Sequence, residues 1–214
     1  MKRLLRQTFL AVLVGVAPVA TAQAETAIFA GGCFWCVESD LEKLPGVRDV
    51  KSGYAGGKSQ NPTYKNYERG GHREVVQVDF DESQISYQDL VRIFLRTVDV
   101  TDPGGQFCDR GYGYSTAIHP LNDKQAKAAK AEIAKANKVL GGKVVTPVEG
   151  AAVFWPAEDY HQAYYKSNAR TLTRFGYVTR AEAYKGYRKA CGRDARVKSV
   201  WGAEAYKGLP KAGS

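Results

Sequence analysis

Between Glu25 and Leu44 the chain changes its period. ETAIFAGG reads as a short strand running into a glycine turn, and the CFWCVESDLEKL that follows brings back Phe34, Val37 and Leu41 at the three- and four-residue spacing of a helix face. Pro45-Gly46 ends that helix, VRDVKSGYAGG reads as a second strand closed by glycines, and NPTYKNYERGGH is a polar, tyrosine-rich loop. In REVVQVDFD, Val76, Val78 and Phe80 alternate as in a half-buried strand. Ser86 then caps a helix with Leu90, Val91, Phe94 and Leu95 on one face. The later chain repeats the theme. FCDRGYGYSTAIH ends as a strand, Asn122 or Asp123 caps an alanine- and lysine-rich helix stopped by Gly141-Gly142, and AEDYHQAYYKSN reads as a short helix. These alternations predict an α+β domain, a two-layer sandwich with a mixed β-sheet and a ferredoxin-like core over residues 27–169. From Arg170 to Ser214 the chain is basic and low in aliphatic residues, and we expect an irregular C-terminal tail folded over the domain.

The first residues bear on compartment. Lys2, Arg3 and Arg6 precede the apolar run FLAVLVGVAPVA, and Ala22-Gln23-Ala24 supplies small residues at a cleavage site, so residues 1–24 read as a secretory signal peptide and the protein as exported, periplasmic or secreted. The run is shorter than the ~20 residues a spanning helix needs, and no cysteine stands at the junction to take a lipid, so no stable membrane anchor is expected. Residues 25–214 are then expected to form a single domain. Removing the signal takes three cations and no anion, and the formal net charge falls from +9 to +6. The remaining cations are scattered rather than arranged with aromatics along a groove, which argues against nucleic acid.

Four cysteines, Cys33, Cys36, Cys108 and Cys191, all lie past the signal, in a chain long enough to hold a core without stapling. Cys33 falls where the strand and its two glycines meet the helix, and unpaired N–H groups there favour a thiolate nucleophile. Cys36 is one turn further in. Alone, C-x-x-C leaves a redox pair, a metal half-site, a structural disulfide or a single nucleophile open. The bulky Phe34-Trp35 between the cysteines is unusual for a redox pair, and a zinc site needs two more ligands that His72, His119 and His161 do not supply at ligand spacing. No metal is expected. Glu74 opens the alternating strand, and Tyr54, Tyr114 and Asp109 sit in or beside glycine-rich turns.

The segments GGCFW, GYAGG, NPTY, GHREVVQVDFD, QFCDRG and AEDYHQAYY, in this order between Ala27 and Tyr165, resemble the A-type peptide methionine sulfoxide reductases. The resemblance implies a cofactor-free enzyme that returns methionine S-sulfoxide, free or in oxidised proteins, to methionine. Carried over by position, it makes Cys33 the nucleophile on the sulfoxide sulfur and Glu74 the acid that protonates its oxygen. Tyr54 and Tyr114 would donate hydrogen bonds to that oxygen, Asp109 would orient the site, and Phe34 and Trp35 would wall an apolar pocket for the S-methyl group. Glu74 must then hold a proton near neutrality, through burial. The resulting sulfenic acid needs a second thiol. The family often carries a late-chain recycling cysteine, so Cys33–Cys191 is the expected catalytic disulfide. Cys36 is the other candidate resolving thiol, and Cys36 and Cys108 otherwise stand as buried thiols or a structural pair. A thioredoxin-like reductant and a monomeric enzyme complete the expectation.

The sequence departs from the family pattern beside the motif tyrosine. Gln and Arg commonly flank it, whereas Gly113 and Ser115 flank Tyr114, and we expect Arg110 to make up the loss. Two other functions compete with the reductase. One is a general thiol–disulfide oxidoreductase using the CFWC pair, which would reduce insulin disulfides without any sulfoxide. The other is a non-catalytic envelope-binding module using the basic tail.

Overall fold

The computed structural model describes residues 24–210. The signal segment 1–24 lies outside the described residues except for Ala24, which opens the first strand. No helix among the described residues is long and apolar enough to cross a membrane.

Strand β1 (Ala24–Ala30) leads through the two glycines into helix α1 (Phe34–Leu41), followed by β2 (Val47–Ala55), β3 (Arg73–Asp81) and α2 (Tyr87–Leu95). Two short strands, β4 (Gly105–Gln106) and β5 (Asp109–Arg110), form a small ribbon before β6 (Ala117–His119) and α3 (Asp123–Val139). The main sheet runs β6-β1-β3-β2, with α1 and α2 as the two crossovers, which is the ferredoxin-like order. A fifth strand, β7 (Trp155–Pro156), joins beyond β2. Every ladder in the sheet is antiparallel, and parallel pairing is confined to an isolated bridge between Ile118 and Val148, so the expected mixed sheet is corrected to an antiparallel one.

Period-two burial explains how the layers meet. Val76, Val78 and Phe80 of β3 and Ala27 and Phe29 of β1 pack under α1 and α2, while Ile28, Ala30 and Val75 face the other way, beneath Ala152 and Phe154. The caps agree with the sequence, since Ser86 Oγ accepts from Asp89 N at 3.1 Å and Asn122 Oδ1 from Gln125 N at 2.9 Å. Residues 159–166 form two short 3-10 turns rather than a helix, because Ala163 between them is left-handed, with φ 51°. Gln162 projects from there to the sheet edge, where its Oε1 accepts from Ser52 N at 3.0 Å and its Nε2 donates to Ser52 O at 2.9 Å.

The C-terminal segment is ordered, against the irregular tail expected. It forms a hairpin of β8 (Arg170–Thr173) and β9 (Gly176–Thr179), then α4 (Arg180–Ala190) and α5 (Arg193–Trp201). A capping box of Thr179 and Glu182 starts α4, and Gly192, with φ +67°, turns the chain into α5. Val197 and Trp201 fasten α5 to the core, the Trp201 indole donating to Val98 O at 3.2 Å. The low aliphatic content hid this. α4 is held by a cap, tyrosines and arginines instead of an aliphatic stripe.

Candidate active site

Gly31 and Gly32 deliver Cys33 to the N-cap of α1. A Cβ on Gly32, whose φ is +77°, would fall 2.5 Å from Gln106 Cβ, and one on Gly31 would meet Val37 and Phe94 within 3 Å. Gln106 cannot retreat. Its buried amide donates to Asp99 O and Gly105 O, both at 2.8 Å, and accepts from Asp99 N at 2.9 Å.

Alternation along β3 places Glu74 on the same face as Val76, beneath the start of α1, where its Oε2 accepts the Phe34 N–H at 2.9 Å. Burial pushes the Glu74 carboxyl up to about 8; the Phe34 N–H opposes the shift and the charge of Asp109 adds to it. Glu74 therefore holds its proton at neutral pH. Tyr67 Oη lies 3.5 Å from its other oxygen, and the Tyr67 and Tyr114 rings meet edge-on with centroids 6.4 Å apart. Asp109, in β5, faces the same cavity, its carboxyl raised by burial.

This cavity, of about 350 Å3, gathers most of the predicted site residues: Cys33, Cys36, Phe34, Trp35, Glu74 and Tyr114, with Cys108, Asp109 and Cys191 also on its wall. Phe34 and Trp35 form the apolar side, Trp35 stacked on Tyr164 at 3.7 Å. The tail closes it with Arg174, Tyr184, Tyr187, Arg188 and the fully buried Arg193.

Tyr54 does not belong. Its hydroxyl donates to Glu158 at 3.0 Å, and it is absent from the cavity wall. Tyr64 lines the cavity in its stead, 43% exposed and pinned by its own N–H to the other Glu158 oxygen at 3.0 Å. Tyr64 stands in the NPTY segment and Tyr67 three residues on, in a polar loop whose lack of periodicity gave no reason to choose them.

The cysteines also differ from expectation. Cys191 is bonded to Cys108, 83 residues earlier, while Cys33 and Cys36 are free. The neighbouring Cys36 pushes the Cys33 pKa well up, with burial and the charges of Glu74 and Asp109 adding. Cys36 is lowered to about 7, by the Cys33 hydrogen bond first and by Arg193 and Arg188 against the cost of burial. The lowered thiol is thus the second cysteine, and the Phe34 N–H at the helix start serves Glu74. Cys108, Asp109 and Cys191 place ligand atoms within 4.8 Å of one another, but with the two sulfurs bonded together the group has no thiolate for a metal.

Residues 25–193 match the family model for peptide methionine sulfoxide reductase. The chain belongs to the peptide methionine sulfoxide reductase family. It is 56% identical to peptide methionine sulfoxide reductase MsrA 2 of Rhizobium meliloti over 90% of this chain and 91% of that one, and 43% identical to the protein of that name from Caulobacter vibrioides over 90% and 94%. Among solved structures, reduced Mxr1 from Saccharomyces cerevisiae aligns with TM-score 0.65 at 27% identity, covering 73% of this chain and 93% of its own. Methionine sulfoxide reductase A of Corynebacterium diphtheriae aligns at 0.61 and 29%, covering 68% and 75%.

Within this reductase family, the departures beside Tyr114 have a local explanation. A Cβ on Gly113 would lie 2.8 Å from the Tyr67 ring and from Glu68, so glycine lets Tyr67 reach Glu74. Ser115 Oγ accepts from Arg73 Nε at 2.8 Å and donates to Tyr112 O at 2.7 Å. Arg73, buried beside Glu74 in β3, also bonds Glu149 at 2.7 Å and stacks on Tyr112 at 4.1 Å. Arg110 instead pairs with Asp102 at the surface. The guanidinium that engages this turn, at Ser115 and Tyr112, thus comes from Arg73.

Proposed function

We propose that the protein reduces methionine S-sulfoxide, free or in polypeptides, with Cys33 as nucleophile and Glu74 as acid. The observation that carries this reading is a buried carboxyl, its pKa pushed up by that burial, held under the same helix N-terminus as a thiol in a cavity with one aromatic wall. Disulfide exchange has no use for such a proton. Reduction of S=O does, because the oxygen must leave as hydroxyl.

Cys36, the lowered thiol of the pair, accepts the Cys33 proton as Cys33 Sγ forms a bond to the sulfoxide sulfur. Glu74 protonates the oxygen, with Tyr64 and Tyr114 as hydrogen-bond donors to the developing charge. Transfer of the hydroxyl to Cys33 then releases methionine and leaves a Cys33 sulfenic acid. Cys36 attacks that sulfur, forming the Cys33–Cys36 disulfide and expelling water. With Cys191 bonded to Cys108, direct closure of Cys33 on Cys191 is not open in this state, and Cys36 is the resolving thiol. A thioredoxin-like dithiol returns the pair to thiols by exchange, and Cys108–Cys191, opened by the same donor, is a second couple in the same cavity. We place the enzyme in the periplasm, which the leader sequence supports and where the Cys108–Cys191 disulfide would persist.

The test supplies dithiothreitol with each epimer of a dabsyl methionine sulfoxide. Turnover of the S epimer alone is expected, and none with Cys33→Ser. Peptide mapping after one equivalent of substrate without reductant should recover Cys33 joined to Cys36. Failure to reduce either epimer would refute the reading.

A further inference from the structure

The hairpin of β8 and β9 carries more apolar surface than its position requires. Leu172 and Tyr177 face each other across the two strands and are 80% and 62% exposed. Thr171 and Val178 alternate to the other side, where Val178 packs against Tyr164 and Tyr184. The hairpin is not loosely attached. Phe175 at its tip rests on Gly186 of α4, where an added Cβ would lie 2.7 Å from the ring, and it stacks edge-on with Tyr187. The rigid tip hands Arg174 to the wall of the active-site cavity, so the outward face and the cavity are joined by one turn of chain.

Charge marks the same face. Residues 166–181, KSNARTLTRFGYVTRA, hold four cations and no carboxylate. Among the described residues no ion pair engages Arg170, Arg174 or Arg180, and Arg170 lies over the Tyr177 ring at 5.0 Å. An exposed aliphatic–aromatic pair with the Arg170 guanidinium over its ring, one turn of chain from Arg174 at the cavity wall, suits an occupant with both apolar and carboxylate side chains.

Building on the reductase reading, we propose that this hairpin face is the docking surface for extended polypeptide substrates in which apolar and acidic residues flank the oxidised methionine. The methionine sulfoxide enters the cavity past Arg174, while the flanking chain lies along Leu172 and Tyr177.

The experiment uses eleven-residue peptides with one central methionine S-sulfoxide flanked by leucine and glutamate, or by leucine and lysine, alongside N-acetyl-methionine sulfoxide. Turnover is read for all three, and binding of the labelled peptides by anisotropy. The acidic peptide should exceed the basic one about tenfold in kcat/KM at low salt, and the advantage should collapse toward unity at about 0.5 M salt. Leu172→Ser combined with Arg170→Ser should remove most of that advantage through KM, leaving turnover of N-acetyl-methionine sulfoxide within about twofold. Equal use of the two peptides by an enzyme that reduces the small substrate would overturn the docking surface alone. A loss in the variant that is equal for all three substrates would do the same. Binding that discriminates between peptides without any turnover would support the surface and refute the reductase. Anionic vesicles bound through Leu172, with no preference between peptides, would reassign the face to a lipid surface.

Discussion

At the scale of single residues, the site is organised by who receives the first N–H of α1. Phe34 N is given to Glu74, and the acid rather than the thiol gains the helix end. Two titrations then frame the pH profile. The thiol pair yields its first proton near 7, so activity rises through that pH, whereas Glu74 must stay protonated to act, so activity falls as pH passes about 8. Glu74→Gln should lower kcat by on the order of 10²- to 10⁴-fold and remove the falling limb, read as kcat from pH 6 to 9.5; a limb that persists would assign it elsewhere. The tyrosines separate in the same way. Tyr64→Phe should cost on the order of 10² in kcat, as loss of a donor to a developing oxyanion does, and Tyr54→Phe should leave kcat nearly intact, its hydroxyl being spent on Glu158. Reversed outcomes would restore Tyr54 to the site.

At the scale of elements, the strand-to-helix joint is the least forgiving place. Gly32→Ala adds both a disfavoured positive φ and a Cβ 2.5 Å from an immobile Gln106, so we expect a loss of about 2 to 4 kcal/mol in urea unfolding and a slower chemical step from displaced Cys33. Retention of wild-type stability would show that β4 yields. The elements most legible in the sequence were those with one clean period. α1, β3 and α2 each bury a face that the spacing of Leu41, Val76 or Leu90 announces. α4 and α5 had no such stripe, and their hold on the domain through Arg188–Asp40 and the buried Arg193 is invisible without the fold. In the site, Cys33 and Glu74 were legible because motif and local structure agree. Tyr64 and Arg73 were not, because a loop residue and a charged strand residue acquire their role only from what the chain folds against them. The Cys108–Cys191 pairing was beyond sequence for the same reason.

At the scale of the whole molecule, that disulfide closes the second half of the chain around the cavity. A crosslink across 83 residues restricts the unfolded chain by about 4 to 5 kcal/mol in the loop-entropy account, so Cys108→Ser should lower unfolding stability by some such amount in the absence of reductant, and wild type plus dithiothreitol should fall to the level of the variant. If reductant destabilises the variant as much as wild type, the tie lies elsewhere. The main sheet shows a different kind of closure. Beyond β2, the strand-like amide of Gln162 answers both backbone groups of Ser52, and the neighbouring Pro156 has no N–H to offer; beyond β6, Pro147 O and Glu149 N occupy the backbone of Ile118. These rungs offer no template for another chain to extend. A reductase that takes methionine sulfoxide within polypeptides would meet loose strands among them, and a sheet finished at these positions can release each one without being drawn into its aggregation.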